Sequence, residues 1–430
     1  MKEAGLKKNS IWMISGQGVA LLFQAAYFIL IGRTLGSKEY GTFVGVVAFI
    51  QVLTNFSSLG MEMVMVRDVS RDKSNFPTAW GSTLLTTVCG FVAILAISMG
   101  FGHYFLHKEL MALIPYIAVS DALCGKLAAV GSRAFQGFSR LAYTAKLTAM
   151  IYIARGVTAG ALFLYSIHFH THPTALTWTR IYWIASLVVG AISFIMVTAI
   201  LGWPKFRRIT LGELSDGFSF SLSNSAISIY NDIDKTFLVG LGQSSANGFY
   251  SAAYRIVDVA TAPIYSLYAA AFPRFIQEGS KGVRAAADFS RRLMKRTSLY
   301  GIVAAVAMLA GASLLPYVLG KSFAESANVL PWLCLLPLIR SLHYAWGTAI
   351  TGSSPQWFRT STQLGAALLN LLLDALLIPR WSWHGAAIAS LLTDSSLVIS
   401  SWFVLSFLLA RERQQKAGAA CNLTSVVAGR

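Results

Sequence analysis

Apolar runs long enough to cross a lipid bilayer alternate with short polar breaks along almost the whole of this 430-residue chain, and that pattern limits it to an integral membrane bundle. Twelve such runs lie near residues 11–32, 41–63, 82–105, 110–130, 143–167, 178–201, 218–240, 249–272, 297–319, 327–350, 361–378 and 385–409. Each approaches the roughly 20 residues that a helix rising about 1.5 Å per residue needs to cross about 30 Å of hydrocarbon. In lipid a backbone must satisfy its own hydrogen bonds, and none of the runs alternates as a barrel strand would, so all twelve are expected to be helices. With 55% hydrophobic and 12% charged residues and a mean hydropathy of +0.58, the chain is too apolar for a water-soluble globule.

A net charge of +17 suggests nucleic acid, but the distribution of the basic residues gives another explanation. With the N-terminus in the cytoplasm, twelve crossings return the C-terminus there. Six of the 35 Lys and Arg then fall outside (Arg33, Lys38, Lys108, Arg180, Lys321, Arg380), four fall within spans (Arg155, Lys235, Arg255, Arg340) and 25 fall inside. The excess therefore follows the positive-inside rule, and no nucleic-acid partner is expected. The first run lacks a small-residue cleavage site and reads as a retained helix. Cys89, Cys124, Cys334 and Cys421 are scattered, without disulfide or zinc spacing, and the Asn422-Leu423-Thr424 sequon falls in the expected cytoplasmic tail.

An internal repeat relates the first two runs to the seventh and eighth. Leu35-Gly36 closes the first run, Gly41 and Phe43 open the second and Arg67 ends it; Leu241-Gly242, Gly248, Tyr250 and Arg274 take the same places later, with 26 residues from Gly to Arg in both. Six spans per half give both halves one orientation, as in transporters built from parallel repeats around a central cavity. The expected division is an N-terminal lobe at 1–205, a C-terminal lobe at 206–410 and a disordered cytoplasmic tail at 411–430, with the boundary in the Gly202, Pro204, Lys205, Arg207, Arg208 stretch. The longest internal loop, 273–296, is rich in Arg and Lys and suits either an anionic lipid surface or an ordinary cytoplasmic anchor.

Leu35-Gly36 through Tyr40-Gly41-Thr42-Phe43, with Gly60 and Arg67-Asp68-Val69-Ser70-Arg71, resemble the first hairpin of bacterial flippases for polysaccharide repeat units. These are the Wzx-like O-antigen and exopolysaccharide transporters of the multidrug/oligosaccharidyl-lipid/polysaccharide exporter superfamily. The resemblance returns at Asn231-Asp232-Ile233-Asp234-Lys235, at Gly248 through Arg255, and at Asn370-Leu371-Leu372-Leu373 with Ile378-Pro379 and Gly385 through Ala389. It implies two six-helix lobes and translocation of an undecaprenyl-diphosphate-linked oligosaccharide from the cytoplasmic to the outer leaflet. It also implies a bacterial cytoplasmic-membrane location and, as further partners, polysaccharide polymerase and chain-length proteins. A common family version has a second Asn soon after Asn370; this chain has Asp374.

An ionised side chain at bilayer depth costs several kcal/mol and so requires a partner, a cavity or a function. The densest group lies on the seventh and eighth runs, where Asp232 and Lys235, and likewise Arg255 and Asp258, are three residues apart on one helix face. Counted from the outer hairpin, Lys235 and Arg255 lie about 8–9 Å deep and Asp232 and Asp258 about 12–13 Å deep. Equal depths suggest an anion locus at Lys235 and Arg255 with an ion-coupling locus at Asp232 and Asp258 beneath it. The alternative is a pair of crossed ion pairs, Asp232 with Arg255 and Lys235 with Asp258, that only neutralise the hairpin. In the first half, Gln17, Gln24, Tyr27 and Gln51 offer hydrogen bonds to sugar hydroxyls, and Arg155 is the one deep cation. Against four deep basic groups stand Asp121, Asp232, Asp234, Asp258, Asp374 and Asp394, an excess that favours ion coupling through buried carboxylates.

No constellation suggests an enzyme. His168, His170 and His172 alternate in a short external loop but have no nearby Cys or acid, so no metal or other cofactor is expected. No long external loop exists to hold a polymerase or ligase site. The sequence therefore reads as a flippase, with a multidrug or cation extruder of the same fold as the rival and an integral membrane glycan polymerase or ligase as the more distant one.

Overall fold

The computed structural model describes the backbone of residues 3–428 and the side chains of 16–104 and 106–415. Every described element is helical, and each of the twelve apolar runs is helical over most of its length. Runs one and two form α1 (Glu3–Thr54), which turns at Gly36 (φ 71°, ψ 173°), and α2 (Met61–Arg71) completes the second crossing. The third is α3 (Phe76–Phe105). The fourth is built from α4 (Lys108–Met111), α5 (Ile114–Ile117), a π-helical segment at Ala118–Gly125 and α6 (Lys126–Gly137). The fifth to eighth are α7 (Leu141–Phe169), α8 (Ala175–Leu201), α9 (Leu211–Gly240) and α10 (Ser244–Gly279). The ninth joins α11 (Val283–Gly311) to α12 (Leu315–Leu319), and the tenth is split into α13 (Ser326–Leu333) and α14 (Leu336–Ser353). The last two are α15 (Trp357–Trp381) and α16 (Trp383–Ala428). Composition gave an unstructured end beyond Arg411, but α16 continues to Ala428; the side chains of 416–430 lie outside the described residues.

Length and hydropathy alone pick out only nine spans among the described residues. The shortfall from twelve has physical causes. Runs one and two count once because Gly36 bends without ending the helix, and the tenth is interrupted between Pro331 and Pro337, where the backbone ladder loses donors. The seventh, α9, is too polar, carrying Ser219, Ser221, Ser223, Ser225, Asn231, Asp232, Asp234 and Lys235. Large apolar side chains left exposed along α3, α8 and α11, among them Val92, Phe101, Val188, Ile195, Val303 and Val306, face where acyl chains belong in a multi-pass membrane protein.

The chain divides into two compact units, one of residues 1–251 with 315–324 and the other of 252–314 with 325–430. In the first unit α9 lies against α1 and α2. Thr236 donates to the Gly45 carbonyl (3.2 Å), Ser225 to the Val52 carbonyl (2.9 Å) and Asn55 to the Ser228 hydroxyl (2.8 Å). Where α10 begins it meets α1 backbone to backbone. A Cβ on Gly41 would sit 1.9 Å from the Ser244 carbonyl oxygen, and one on Gly248 would sit 2.0 Å from that of Ser37. Gly41 and Gly248 are the glycines paired by the repeat, so repeat-related segments contact each other reciprocally, and Asn247 fastens the crossing by donating to the Gly41 carbonyl at 2.6 Å. In lipid no hydrophobic force joins helices, so close approach through small residues is what holds such a contact. The second unit packs Tyr268, Phe275, Phe289, Ala345, Ala349 and Leu405 into one core.

Gly41→Ala and Gly248→Ala should each lower stability by roughly 1–3 kcal/mol, the usual range for overpacking, while Gly100→Ala, whose added Cβ meets nothing within 4 Å, should be neutral. Thermal melts of the detergent-solubilised protein followed by size-exclusion chromatography measure this; unaltered melting of both crossing variants would contradict the contact.

Candidate functional site

Three polar clusters are built at bilayer depth, two in the first unit and one in the second. On α9 the i, i+3 spacing lays Lys235 over Asp232. Its ammonium donates to the Asp232 carboxylate at 2.6 Å and to the Asn231 carbonyl at 2.8 Å. Asp234, 2% exposed, accepts from the Tyr250 hydroxyl at 2.5 Å and from the Lys235 backbone N–H at 2.7 Å, with the Lys235 ammonium 4.0 Å away. The Lys235 side chain is 7% exposed and that of Asp232 is 36% exposed, so the carboxylate is the more accessible member.

The second cluster centres on Arg155 of α7. Its guanidinium donates to Asp121 at 2.9 Å and to the Tyr182 hydroxyl, stacks 4.9 Å over the Tyr182 ring, and the Tyr182 hydroxyl in turn donates to Asp121. Asp121 sits on the π-helical segment, where the looser ladder frees the Ala122 carbonyl; Ser57, in the break between α1 and α2, donates to it at 2.6 Å. Arg155 also borders a water-sized cavity of about 10 Å³ with Gly125, Ile151, Ala154, Ala185, Ser186 and Val189, and its Nε has no hydrogen-bond partner among the described residues. Beside the cluster Tyr27, Phe43 and Trp178 meet edge to face or tilted, Tyr27 lying 5.8 Å from Trp178 and Phe43 lying 5.6 Å from Tyr182. Gln17 is exposed, and Gln24, Tyr27 and Gln51 are half-buried. Gln17 and Gln24, two turns apart on α1, share a face.

The third cluster joins α10, α14 and α16 in the second unit. Arg340 is 5% exposed and uses each of its nitrogens: Nε donates to Asp394 at 3.0 Å, Nη2 donates to the Tyr254 hydroxyl, and Nη1 lies 3.6 Å from Asp258. Asp258 turns its other oxygen toward Arg255, 3.8 Å away. The side chains of Arg255 and Asp258 are 44% and 43% exposed. His343 approaches Asp394 at 3.9 Å, and on α15 Asn370 donates to Thr393 of α16 at 3.3 Å, one turn from the buried Asp374.

Of the residues singled out from sequence, Arg155 is drawn into a tight cluster with Asp121, while Lys235 and Arg255 each meet the carboxylate one turn away on their own helix. Sequence reasoning counted Asp394 among the carboxylates favouring ion coupling and gave Arg340 no role, and it could not pair the two, since residues 54 positions apart show no pairing in a sequence. It missed a buried pair entirely: Lys126 donates to Glu62 at 2.7 Å, both side chains 12% exposed, with Ser58 donating to the same carboxylate. His168, His170 and His172 are exposed, and His170 takes the left-handed conformation (φ 51°) that ends α7. Among the described residues no group of three or more His, Cys, Asp or Glu is arranged to hold a metal.

The fold has close parallels among solved transporters. Superposition on the lipid II flippase MurJ in an inward closed conformation gives a TM-score of 0.73 over 92% of this chain and 87% of that one, at 12% identity. An inward-facing multidrug MATE transporter of the MOP superfamily gives 0.70 over 91% and 96%, at 13% identity. In sequence the chain is 25% identical over 413 residues to an Escherichia coli K12 protein provisionally assigned as an O-antigen transporter, covering 91% of this chain and 94% of that protein. It is 23% identical over 422 residues to an uncharacterised membrane protein of Methanocaldococcus jannaschii, covering 93% and 98%. Residues 6–278 match the family described as polysaccharide biosynthesis protein, and with well over half its length matched the chain belongs to that family.

Proposed function

We propose that this protein is a flippase that carries an undecaprenyl-diphosphate-linked oligosaccharide repeat unit from the cytoplasmic to the outer leaflet of the bacterial cytoplasmic membrane, driven by an ion gradient. The observation that carries the reading is the half-exposed Arg255 and Asp258 pair on a membrane-spanning helix. A charge presented to acyl chains costs several kcal/mol, so side chains this accessible belong on an aqueous path. A guanidinium there suits a diphosphate, which accepts paired hydrogen bonds. Gln17, Gln24, Tyr27 and Gln51 offer the uncharged donors and acceptors that sugar hydroxyls require. Membership of a polysaccharide biosynthesis family and similarity to a provisionally assigned O-antigen transporter and to a lipid II flippase support the same reading.

Asp232 and Asp258, each beside a cation, are the groups we assign to ion coupling: a carboxylate that exchanges its partner for a proton or sodium ion links occupancy to conformation. The excess of acids over bases within the spans also suits a cation or drug extruder, and the MATE transporters share the fold. The two readings part on substrate, because an extruder lowers cellular dye accumulation and leaves polysaccharide export unaffected when it is deleted.

Arg255→Gln and Lys235→Gln should each abolish repeat-unit export at wild-type protein level, measured as surface polysaccharide in a deletion strain. If the cations serve only to neutralise their neighbours, Asp258→Asn should restore Arg255→Gln and Asp232→Asn should restore Lys235→Gln; full rescue would overturn the assignment. Arg255→Lys should retain part of the activity if a point charge suffices and little if the grip is bidentate.

The charge asymmetry places both termini and the 67–81, 202–216 and 273–296 segments in the cytoplasm. Cysteines introduced at the exposed Lys38 and Ser322 should react with a membrane-impermeant maleimide in intact cells, and one at Ser280 only after permeabilisation. The opposite pattern would invert the topology.

A further inference from the structure

Arg340 is the positioning residue that decides whether Arg255 is available to the substrate, we propose, by offering Asp258 a second place to go; the inference rests on Arg255 contacting the lipid-linked diphosphate. Asp258 lies between two guanidiniums, with Oδ1 at 3.6 Å from Arg340 and Oδ2 at 3.8 Å from Arg255. Both distances exceed the range of about 2.7–2.9 Å for a charge-assisted hydrogen bond, so neither contact locks the carboxylate. Arg340, by contrast, cannot follow it. It is 5% exposed, tied to Asp394 at 3.0 Å and to the Tyr254 hydroxyl, and it stacks 5.2 Å over the Tyr254 ring. The mobile member is therefore Asp258, at 43% exposure, and the fixed point is Arg340.

The consequence is a two-position device. An anion binding Arg255 competes with Asp258 for the same guanidinium, and displacing a carboxylate with nowhere to go would strand a charge at bilayer depth. Arg340 removes that penalty, because Asp258 closes onto it as the phosphate closes onto Arg255. When the diphosphate leaves, Asp258 returns and occupies Arg255, which opposes rebinding. The row Asp394, Arg340, Asp258, Arg255 alternates in sign and carries no net charge when all four are ionised. A bound diphosphate adds its own negative charge to this neutral row, and the shift of Asp258 toward Arg340 keeps each anion beside a guanidinium. Arg340 need not touch substrate to set its affinity.

The test uses purified full-length protein in liposomes and a fluorescent polyprenyl-diphosphate-linked disaccharide, with half-saturating concentration and maximal rate measured separately. Asp258→Asn should lower the half-saturating concentration about three- to tenfold, the size of one partly exposed charge contact. Because Arg340→Met alone would leave Asp394 stranded, Arg340 is replaced together with its partner as Arg340→Met, Asp394→Asn. That variant should raise the half-saturating concentration by a similar factor with maximal rate within about twofold, and adding Asp258→Asn should bring it back. Arg340→Lys, which keeps the charge, covers the case in which the double variant does not fold, and should give a smaller rise that Asp258→Asn also reverses. All of these shifts should vanish in an Arg255→Gln background. If Arg255→Gln weakens the probe but the Arg340 variants leave its half-saturating concentration unchanged, or Asp258→Asn fails to reverse them, the positioning role is wrong and the proposed function stands. If Arg255→Gln itself has no effect on the probe, the reading of Arg255 as the diphosphate contact fails first.

Discussion

The first unit depends on a backbone-to-backbone crossing at Gly41 and Gly248, where each missing Cβ would lie about 2 Å from an opposing carbonyl oxygen and the Asn247 side chain fastens the Gly41 carbonyl. A bilayer offers no hydrophobic reward for bringing helices together, so association rests on packing and on hydrogen bonds that small residues permit. The reciprocity of the crossing, Ser37 against Gly248 and Ser244 against Gly41, follows from the internal repeat, and it draws α9 and the start of α10 into one compact unit with the first six spans. With α9 so fixed, Asp232, Asp234 and Lys235 sit on a helix held by three hydrogen bonds to the α1 and α2 region rather than on a loosely packed span.

Lipid makes the spans legible and hides the pairings. Each of the twelve apolar runs could be placed from sequence because bilayer thickness sets helix length. The glycine interval of the repeat was equally plain, and it marked two residues that the structure brings into contact. What could not be read is how charges 30 or more residues apart would meet. Arg155 with Asp121, Arg340 with Asp394 and Lys126 with Glu62 depend on helix rotation, which hydropathy does not encode. The i, i+3 partners of Lys235 and Arg255 were visible as spacing, yet depth alone could not say that each would turn to its own helix neighbour. Breaks inside spans were also hidden. The π-helical turn at Ala118–Gly125 has no Pro to announce it, and the interruption at Thr54–Met61 shows in the sequence only as Gly60.

A common principle links the polar clusters. Deep cations are not left to the bilayer: Arg155 and Arg340 are each held by an Asp and a Tyr, and Lys235 by an Asp and a backbone carbonyl. Held in this way, charges are tolerated at depth, and Arg255, Asp258 and Asp232 are the more accessible members, the groups proposed above to meet cargo and ions.

The account stands or falls on whether the purified protein alone moves a lipid-linked sugar across a bilayer. The direct measurement is reconstitution into liposomes containing a polyprenyl-diphosphate-linked oligosaccharide, with lectin or quencher access reporting transbilayer movement under an imposed ion gradient. The account predicts protein-dependent, gradient-stimulated translocation of the diphosphate-linked sugar and none of a cationic dye. Dye transport without movement of the lipid-linked sugar would contradict it.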